Sequence, residues 1–289
     1  MKIGIGIPNS IPGGEGRLLL DWARRADALG FSALSTIGRV AYPTYEELVT
    51  LAAAAGATER IGLLTGVLLT PTRDPVLLAK AAASPDQLSG GRFVLGMGVG
   101  GRGDDFEATG RSMSDRGKRF DRDLELMHRA WRGEPVAGSP RPVTPAPVNG
   151  DSVPVLIGGQ APQAIQRAAR WGIGWMSGGG GPQWAAGTFD QVRAAWREAG
   201  RQGEPELKAL QYVALGPRAQ SGRDYLEDYY GEFVERIWPT VPLDADGVRE
   251  AVRAFEEIGT TELFFSPTIV SLEQVELLAE AALSPAGQV

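Results

Sequence analysis

Short apolar segments alternate with longer helical patterns along most of the chain. Segments such as Ile61 to Leu69 are nearly continuous apolar runs and are too short for helices, which is typical of strands buried on both faces. Eight strands are predicted: Lys2–Ile7, Phe31–Thr36, Ile61–Leu69, Phe93–Gly98, Val155–Ile157, Ile173–Met176, Leu207–Leu215 and Glu262–Phe265. The first four strands begin about 30 residues apart, which is the length of a strand-plus-helix unit.

Each predicted strand is followed by at least one segment with helical periodicity. Gly30 and Gly259 stand just past two of these segments as C-caps, and Thr44 with Glu47 forms a capping box before another. The predicted helices are Leu18–Leu29, Thr44–Ala57, Pro75–Leu88, Ser114–Trp131, Pro162–Trp171, Phe189–Gly200, Arg223–Trp238, Asp246–Ile258 and Leu272–Leu283.

Eight buried strands alternating with helices predict an α/β fold, a parallel (β/α)8 TIM barrel. We expect insertions after strands four and seven, and one domain that spans residues 1–289. The Pro- and Gly-rich segment Gly133–Pro154 holds no long element and is expected to pack over the barrel mouth or its side. An open doubly wound sheet is the alternative, but no dinucleotide fingerprint opens the chain.

Composition narrows the possible functions by exclusion. The 289 residues carry a formal net charge of -6, which disfavours a nucleic-acid binder. The absence of cysteine excludes disulfides and thiolate chemistry, and a single histidine, His128, excludes a multi-histidine metal site. No apolar run approaches the roughly 20 residues of a membrane helix. The start, MKIGIGIPNS, predicts a strand and no secretory leader, so we expect a cytoplasmic protein without a membrane partner.

The active site of such a barrel is expected at the carboxyl ends of its strands. The residues there are Pro8, Asn9, Ser35, Thr36, Thr65–Val67, Gly98–Gly101, Gly158–Gln160, Ser177–Gly181, Leu215 and Ser266. This set is poor in acids and bases and rich in glycine, which favours a bound cofactor that supplies the chemistry. Gly158-Gly159 before the helix at Pro162 favours phosphate binding, whereas the run Gly178–Gly181 is either a phosphate loop or a plain flexible loop.

Three other features have a functional and a structural interpretation. His128 lies mid-helix, far from any strand end, and is interpreted as a surface or packing residue. Asp104, Asp105 and Glu107 could suggest a metal site, but no further ligands accompany them, so a capping or solvated loop is favoured. Trp184, in the Gly-rich loop, is a candidate for substrate contact.

Several segments together resemble the luciferase-like monooxygenase superfamily, whose barrels use FMN or the deazaflavin coenzyme F420. The likeness covers most of residues 1–180. The segments are Ile61–Leu68 followed by Arg73-Asp74-Pro75 and Ala79-Lys80, Asp86–Arg92 leading to Gly96, Gly98 and Gly100, Asp104–Glu107 with Arg116 and Arg119, Pro154–Gly159, and Gly172–Trp175.

The resemblance implies a cofactor site and a homodimer. A non-prolyl cis peptide on the third strand matches Gly66-Val67, behind the central ring of the cofactor. Thr65, Gly66 and Val67 would back the ring, Gly98, Val99 and Gly100 would border it, and Gly158, Gly159 and Gln160 with Ser177, Gly178 and Gly179 would take the phosphate.

One position departs from the family pattern. Relatives often carry Asp-His or His-His after the second strand, but this chain reads Thr36-Ile37-Gly38-Arg39, with no group that titrates near neutrality. The catalytic group is therefore left open, with Thr36, Tyr42 and Glu46 as candidates. Direct hydride transfer to an activated C=C or C=N bond needs least from the protein.

This reasoning predicts an oxidoreductase that uses coenzyme F420 to transfer a hydride to or from a small organic substrate. One alternative is an FMN-dependent two-component monooxygenase that works with O2 and a separate reductase. Another is a cofactor-free binding protein. We expect the substrate pocket to be built by Gly101–Asp115, Gly133–Asn149 and Gly181–Thr188.

Overall fold

A computed structural model describes residues 1–136 and 138–283. Its strands form one closed parallel sheet, because the pairing order runs from β3 through β2, β1, β9, β8, β7, β6 and β5 to β4, and β3 also pairs with β5. The strands are β1 (Lys2–Gly6), β2 (Ala33–Thr36), β3 (Gly62–Thr65), β4 (Leu68–Leu69), β5 (Phe93–Gly98), β6 (Val155–Gly158), β7 (Gly174–Ser177), β8 (Glu206–Val213) and β9 (Glu262–Pro267). Since β3 and β4 are two parts of one barrel strand, the predicted eight-stranded barrel is confirmed.

Helices surround the barrel and connect its strands. They are α1 (Gly16–Leu29), α2 (Glu47–Ala57), α3 (Pro75–Leu88), α4 (Gly103–Ala108), α5 (Arg116–Trp131), α6 (Pro162–Trp171), α7 (Pro182–Glu198), α8 (Ala219–Tyr230), α9 (Val234–Ile237), α10 (Ala245–Glu257) and α11 (Glu273–Ala282). Short 3-10 turns lie at Pro8–Ser10, Thr70–Thr72, Gly231–Phe233 and Trp238–Thr240.

The strands are apolar on both faces because each face is buried against a different layer. Leu63 and Phe265 belong to the outer core under the helices, whereas their neighbours Leu64 and Phe264 belong to the core inside the barrel. Successive side chains of a strand point to opposite faces, so this division follows directly from the sequence. It explains why the strands read as continuous apolar runs.

Several element boundaries differ from the predictions. The Thr44–Glu47 capping box is wrong, since α2 begins at Glu47 and the Glu46 side chain accepts the Val49 N–H instead. The predicted strand over Ile61–Leu69 is interrupted between Thr65 and Leu68. Helix α7 begins seven residues before Phe189, because Pro182 suits a first helical position, so most of the expected loop Gly181–Thr188 is helical. The short helix α4 was not predicted.

The two longest connections, between α5 and β6 and between β8 and α10, pack against different parts of the barrel. Residues of the segment 138–154 contact α3 and the turn before β5: Lys80 Nζ donates to Val143 O, and Asn149 Nδ2 donates to Gly91 O. This segment therefore covers the side of the barrel, and its predicted part in the substrate pocket is wrong. By contrast, Tyr225 of α8 and Val234 of α9 pack with Ile11 and Ile269 across the barrel mouth. No helix in the described part of the chain is long and apolar enough to cross a membrane.

Candidate active site

A cavity of about 270 Å³ opens where β3, β6 and β7 end. Glycines and apolar side chains form most of its wall, and none of its lining residues carries an ionisable side chain. They are Gly66, Val67, Gly158, Gly159, Gln160, Trp175, Met176, Ser177, Gly178, Gly179 and Trp184. We call this the glycine cavity. Eight of the twelve residues predicted to contact a cofactor meet there.

The backbone shapes one wall of the glycine cavity. The Gly66-Val67 peptide bond is cis, as the resemblance implied. Gly98 lies behind Val67, and a Cβ built at Gly98 would lie 2.8 Å from Val67 Cγ2, so the close approach requires glycine. A Cβ at Gly158 would lie 3.2 Å from both Val67 methyl groups. These glycines keep the wall flat.

The other predicted cofactor residues lie outside this wall. Thr65 is fully buried and donates its hydroxyl to Gly96 O at 2.7 Å. Val99 turns to a neighbouring cavity, and Gly100 packs against Leu69 and Phe106. Thr65 therefore holds the neighbouring strands together behind the wall, while Val99 and Gly100 lie beside the glycine cavity and do not line it.

The neighbouring cavity, of about 470 Å³, lies between the first turns of α5 and α6. In the first turn of α6, Pro162 has no N–H and Ala164 N donates to Ala161 O at 2.8 Å, so Gln163, which lines this cavity, keeps a free backbone N–H within the described residues. Arg116 and Lys118 line the same cavity, and neither forms an ion pair within the described residues. Arg167 is neutralised by Asp121, at 2.5 Å. We call this the cationic cavity.

A third cavity, of about 420 Å³, lies at the barrel mouth beneath α8. It is lined by Gly38, Arg39, Leu69, Gly101, Arg102, Asp105, Tyr229, Tyr230 and Phe233. Arg102 lies over the Tyr229 ring, 4.5 Å from its centroid, and donates to Tyr229 O at 2.7 Å. We call this the mouth cavity. Its aromatic residues follow the seventh barrel strand, a region where sequence reasoning found no motif.

Two tyrosines connect the mouth cavity with the glycine cavity. The hydroxyl groups of Tyr212 and Tyr230 are hydrogen-bonded at 2.8 Å. A Cβ built at Gly179 would lie 2.7 Å from the Tyr212 ring. The tyrosine pair therefore reaches from the wall of one cavity to the wall of the other.

The three candidate catalytic residues, Thr36, Tyr42 and Glu46, are each buried or already hydrogen-bonded to another residue. Thr36 is fully buried at the end of β2. The hydroxyl of Tyr42 donates to Asp228, and burial together with this carboxylate raises the pKa of Tyr42 above its usual range. Glu46 caps α2 and pairs with Arg73 at 2.7 Å. Tyr42 is thus a poorer acid than a free tyrosine, and Glu46 is occupied as a helix cap.

Sequence reasoning missed the neighbour of Glu46. Glu47 is only 3% exposed, and its Oε2 accepts from Arg73 Nη2 at 2.9 Å. Burial raises the pKa of Glu47 to about 7, against the opposing effect of Arg73. No sequence signal distinguishes the two glutamates, because helix phase and the position of Arg73 decide which one turns inward.

The remaining motifs have structural roles or await a test. His128 stacks on Trp171, with 4.7 Å between ring centroids, and burial lowers its pKa to about 4, so it is a packing residue as predicted. Asp105 accepts the N–H groups of Val40 and Ala41, both at 2.8 Å, which tie α4 to the loop after β2. Among residues 1–136 and 138–283, no group of three or more His, Asp or Glu side chains is placed so that it could hold a metal ion. Trp184 is 43% exposed at the rim of the glycine cavity.

A family profile described as luciferase-like monooxygenase matches residues 1–263. The chain belongs to this luciferase-like family. Its members are flavin- or F420-dependent oxidoreductases and monooxygenases, so the chain is an enzyme of that broad class.

Three known proteins illustrate the family likeness. An uncharacterized protein of Mycobacterium tuberculosis is 32% identical over 217 residues, which are 65% of this chain and 74% of that protein. The monooxygenase RslO1 of Streptomyces bottropensis superposes with a TM-score of 0.78 at 24% identity, covering 98% of this chain and 99% of RslO1. An F420-dependent secondary alcohol dehydrogenase in complex with an F420-acetone adduct superposes with a TM-score of 0.79 at 17% identity, covering 98% of each chain. At these identities, the two structural matches establish the luciferase-like barrel alone.

Proposed function

We propose that this enzyme uses coenzyme F420 to transfer a hydride to or from a small organic substrate. The observation that carries the proposal is the glycine cavity, which has flat walls and no ionisable side chain among its lining residues. Such a wall suits a planar ring that brings its own reactivity, because F420 itself supplies the hydride chemistry when bound. Val67 and Gly158 would contact the ring face.

The cofactor tail would extend from the glycine cavity into the cationic cavity. The segment Gly158–Gln163 lines both spaces in sequence, so one ligand can run along it. The free N–H of Gln163 and the side chains of Arg116 and Lys118 would bind the anionic phosphate. In this proposal the phosphate lies beyond Gly158-Gly159, and Ser177–Gly179 border the ring.

The substrate would occupy the mouth cavity. Tyr229, Tyr230 and Phe233 offer apolar and aromatic surface, and Arg102 adds a cation. A volume of about 420 Å³ suits a small organic molecule. Hydride transfer needs direct contact between ring and substrate, so the hydrogen-bonded pair Tyr212–Tyr230 would border the place where the two meet.

An FMN-dependent monooxygenase is the second candidate, because the family profile that matches the chain is described as luciferase-like monooxygenase. Adding F420 and FMN separately to the purified chain, with fluorescence as the readout, distinguishes the cofactors. We expect F420 to bind, and we expect oxygen uptake with reduced FMN to be no greater than the spontaneous oxidation of free reduced FMN. Oxygen uptake above that background would contradict hydride transfer as the sole chemistry. Binding of neither cofactor below about 100 μM would favour a binding protein.

The proposal includes a homodimer. Val49 of α2 and Leu77 of α3 are 69% and 68% exposed on neighbouring helices, and Leu88 at the end of α3 is 66% exposed. Large exposed apolar side chains grouped on one face mark an interaction surface. A second copy of this chain is the proposed occupant. A separate reductase that recycles the cofactor, and a cytoplasmic location, complete the proposal.

A further inference from the structure

The carboxyl group of Glu47 lies against the one residue of the β2 exit loop that has no side chain. A Cβ built at Gly38 would overlap with Oε1 and Cδ of Glu47, so the carboxyl fills the space that any other residue at position 38 would need. Gly38 also lines the mouth cavity. The Glu47 carboxyl and the mouth cavity therefore meet at the backbone of Gly38.

One of the two Glu47 oxygens is uncommitted. Oε2 accepts from Arg73, but Oε1 is buried and has no hydrogen-bond partner among the described residues. A buried carboxylate oxygen without a partner is costly, whereas a protonated carboxyl can turn its O–H toward an acceptor. The free oxygen is the one that faces Gly38.

The charges around Glu47 favour proton uptake near neutrality. Arg73 is shared with Glu46, whose Oε1 it contacts at 2.7 Å, so one cation serves two carboxylates. Burial raises the pKa of Glu47 most, and the neighbouring Glu46 and Asp105 of α4 raise it further. Arg73 and a backbone hydrogen bond of Glu47 itself lower it.

We propose that Glu47 is the proton donor of this enzyme and that the substrate is a carbonyl or conjugated carbonyl compound. The assignment rests on the proposed function. The Glu47 carboxyl lies against Gly38, which lines the mouth cavity, so in this proposal its proton reaches the cavity when the Gly38 backbone moves aside. Glu47 then takes the place of the acid that relatives carry after the second strand. The position of Glu47 depends on Gly38, because only a residue without a side chain leaves room for the carboxyl.

The reaction balances with these parts. Reduction of a conjugated ketone adds a hydride to the β-carbon and a proton to the resulting enolate, and the C=C π bond is lost. The hydride and its electron pair would come from the reduced cofactor bound in the glycine cavity. Glu47 supplies the proton, and Arg73 stabilises the carboxylate that remains. A proton from solvent restores the acid, and the reverse sequence oxidises the saturated ketone.

Two hydride acceptors separate proton donation from a structural role. Reduction of 2-cyclohexen-1-one needs a proton, whereas the methylene blue cation becomes neutral on accepting a hydride and needs none. With reduced F420, we expect Glu47→Gln to slow cyclohexenone reduction at least a hundredfold and to change methylene blue reduction less than about twofold. Glu107→Gln, at an exposed glutamate of α4, is the matched control and should change neither rate.

The wild-type chain provides a measurement that needs no variant. Its cyclohexenone reduction should decline as pH rises through about 7, the pKa of Glu47, while methylene blue reduction stays level. Glu47→Asp should recover part of the lost rate. Equal losses for both acceptors in Glu47→Gln, or a level wild-type profile with cyclohexenone, would overturn the assignment.

Measuring F420 binding separates a failure of the Glu47 assignment from a failure of the proposed F420-dependent function. If F420 binds and methylene blue is reduced but cyclohexenone is not, even at pH 6, the assignment of Glu47 and of the substrate class is wrong and the proposed function stands. If F420 fails to bind, or binds while neither acceptor is reduced, the proposed function itself fails and the assignment fails with it.

Discussion

Single residues decide whether the glycine cavity can hold a ring. Gly98 and Gly158 both lie against Val67, and each leaves room where an ordinary side chain would crowd the cavity wall. Glu47 shows the opposite case, in which a side chain takes the space that a glycine leaves. The glycine wall depends on residues far apart in the sequence, whereas Gly38 and Glu47 meet across a single connection.

We predict that Gly158→Val abolishes F420 binding while the barrel still folds. The valine side chain would project into the cavity from a position only 3.2 Å from the Val67 methyl groups. Fluorescence titration should show at least a hundredfold weaker binding. Gly187→Ala, on a helix position with open space around it, is the control. Unchanged affinity in Gly158→Val would place the ring elsewhere.

Glu47 should also make stability depend on pH. Its pKa is about 7 in the folded chain and 4.5 without the fold, so the folded state holds a proton that the unfolded state releases. Its contribution is therefore complete below pH 4.5 and is lost as pH rises through 7, by on the order of 3 kcal/mol. Asp123, with a pKa raised by burial to about 6, acts in the same direction.

Urea unfolding at pH 5 and pH 8 tests this prediction. The free energy of unfolding of the wild-type chain should fall between the two values, and Glu47→Gln should show a smaller fall, because glutamine does not titrate. The contribution of Asp123, and the opposite contribution of His128 with its pKa lowered to about 4, remain in both proteins. An equal fall in both would show that Glu47 does not titrate in this range.

At the scale of elements, the amino end of the barrel is held by a buried ion pair between neighbouring strands. Lys208 Nζ of β8 lies 2.6 Å from Glu262 Oε2 of β9, and Ser32 Oγ donates to the other carboxylate oxygen at 2.6 Å. Burial alone would lower the pKa of Lys208, but Glu262 and Glu206 raise it above its usual value. Lys208 therefore keeps its charge.

We predict that Lys208→Met destabilises the chain by about 3 kcal/mol, because it leaves the Glu262 carboxylate buried without its cation. The double variant Lys208→Met with Glu262→Gln should lose less, since the amide keeps a partner for Ser32 and removes the charge. Denaturant unfolding measures both. A double variant that is less stable than the single one would contradict this account.

At the scale of the whole molecule, the two ends of the barrel have different roles: one holds the candidate site and the other holds a stabilising ion pair. All three cavities of the candidate site lie at the carboxyl ends of the strands, and the Lys208–Glu262 pair lies at the amino ends. Parallel strands impose this separation, because every strand exit opens on the same side. The exposed apolar face of α2 and α3 lies on the outer wall.

We predict that Leu77→Arg converts a dimer into a monomer without loss of the fold. A charge at a side chain that is 68% exposed costs the isolated chain little, but it would be buried in the proposed interface. Sedimentation velocity measures the change, and Leu243→Arg, at a leucine 45% exposed elsewhere, is the control. A wild-type chain that sediments as a monomer would refute the interface.

The sequence alone determined the barrel, because strand and helix periodicity are local properties and eight units followed in order. It also identified glycines such as Gly158 and Gly179 at strand exits, since their position along a strand is readable. Boundaries such as the start of α7 at Pro182 were missed, because a loop rich in glycine gave no helical pattern before Phe189.

Only the tertiary structure decided which side chains meet. Glu47 rather than Glu46 turns inward because Gly38 leaves space for its carboxyl and Arg73, which follows another strand, pairs with it. Arg102 and Tyr229 are 127 residues apart and share one cavity. Distances across the chain carry no periodic signal. The sequence thus determined the barrel and its strand ends, whereas tertiary packing decided which side chains lie together at the candidate site.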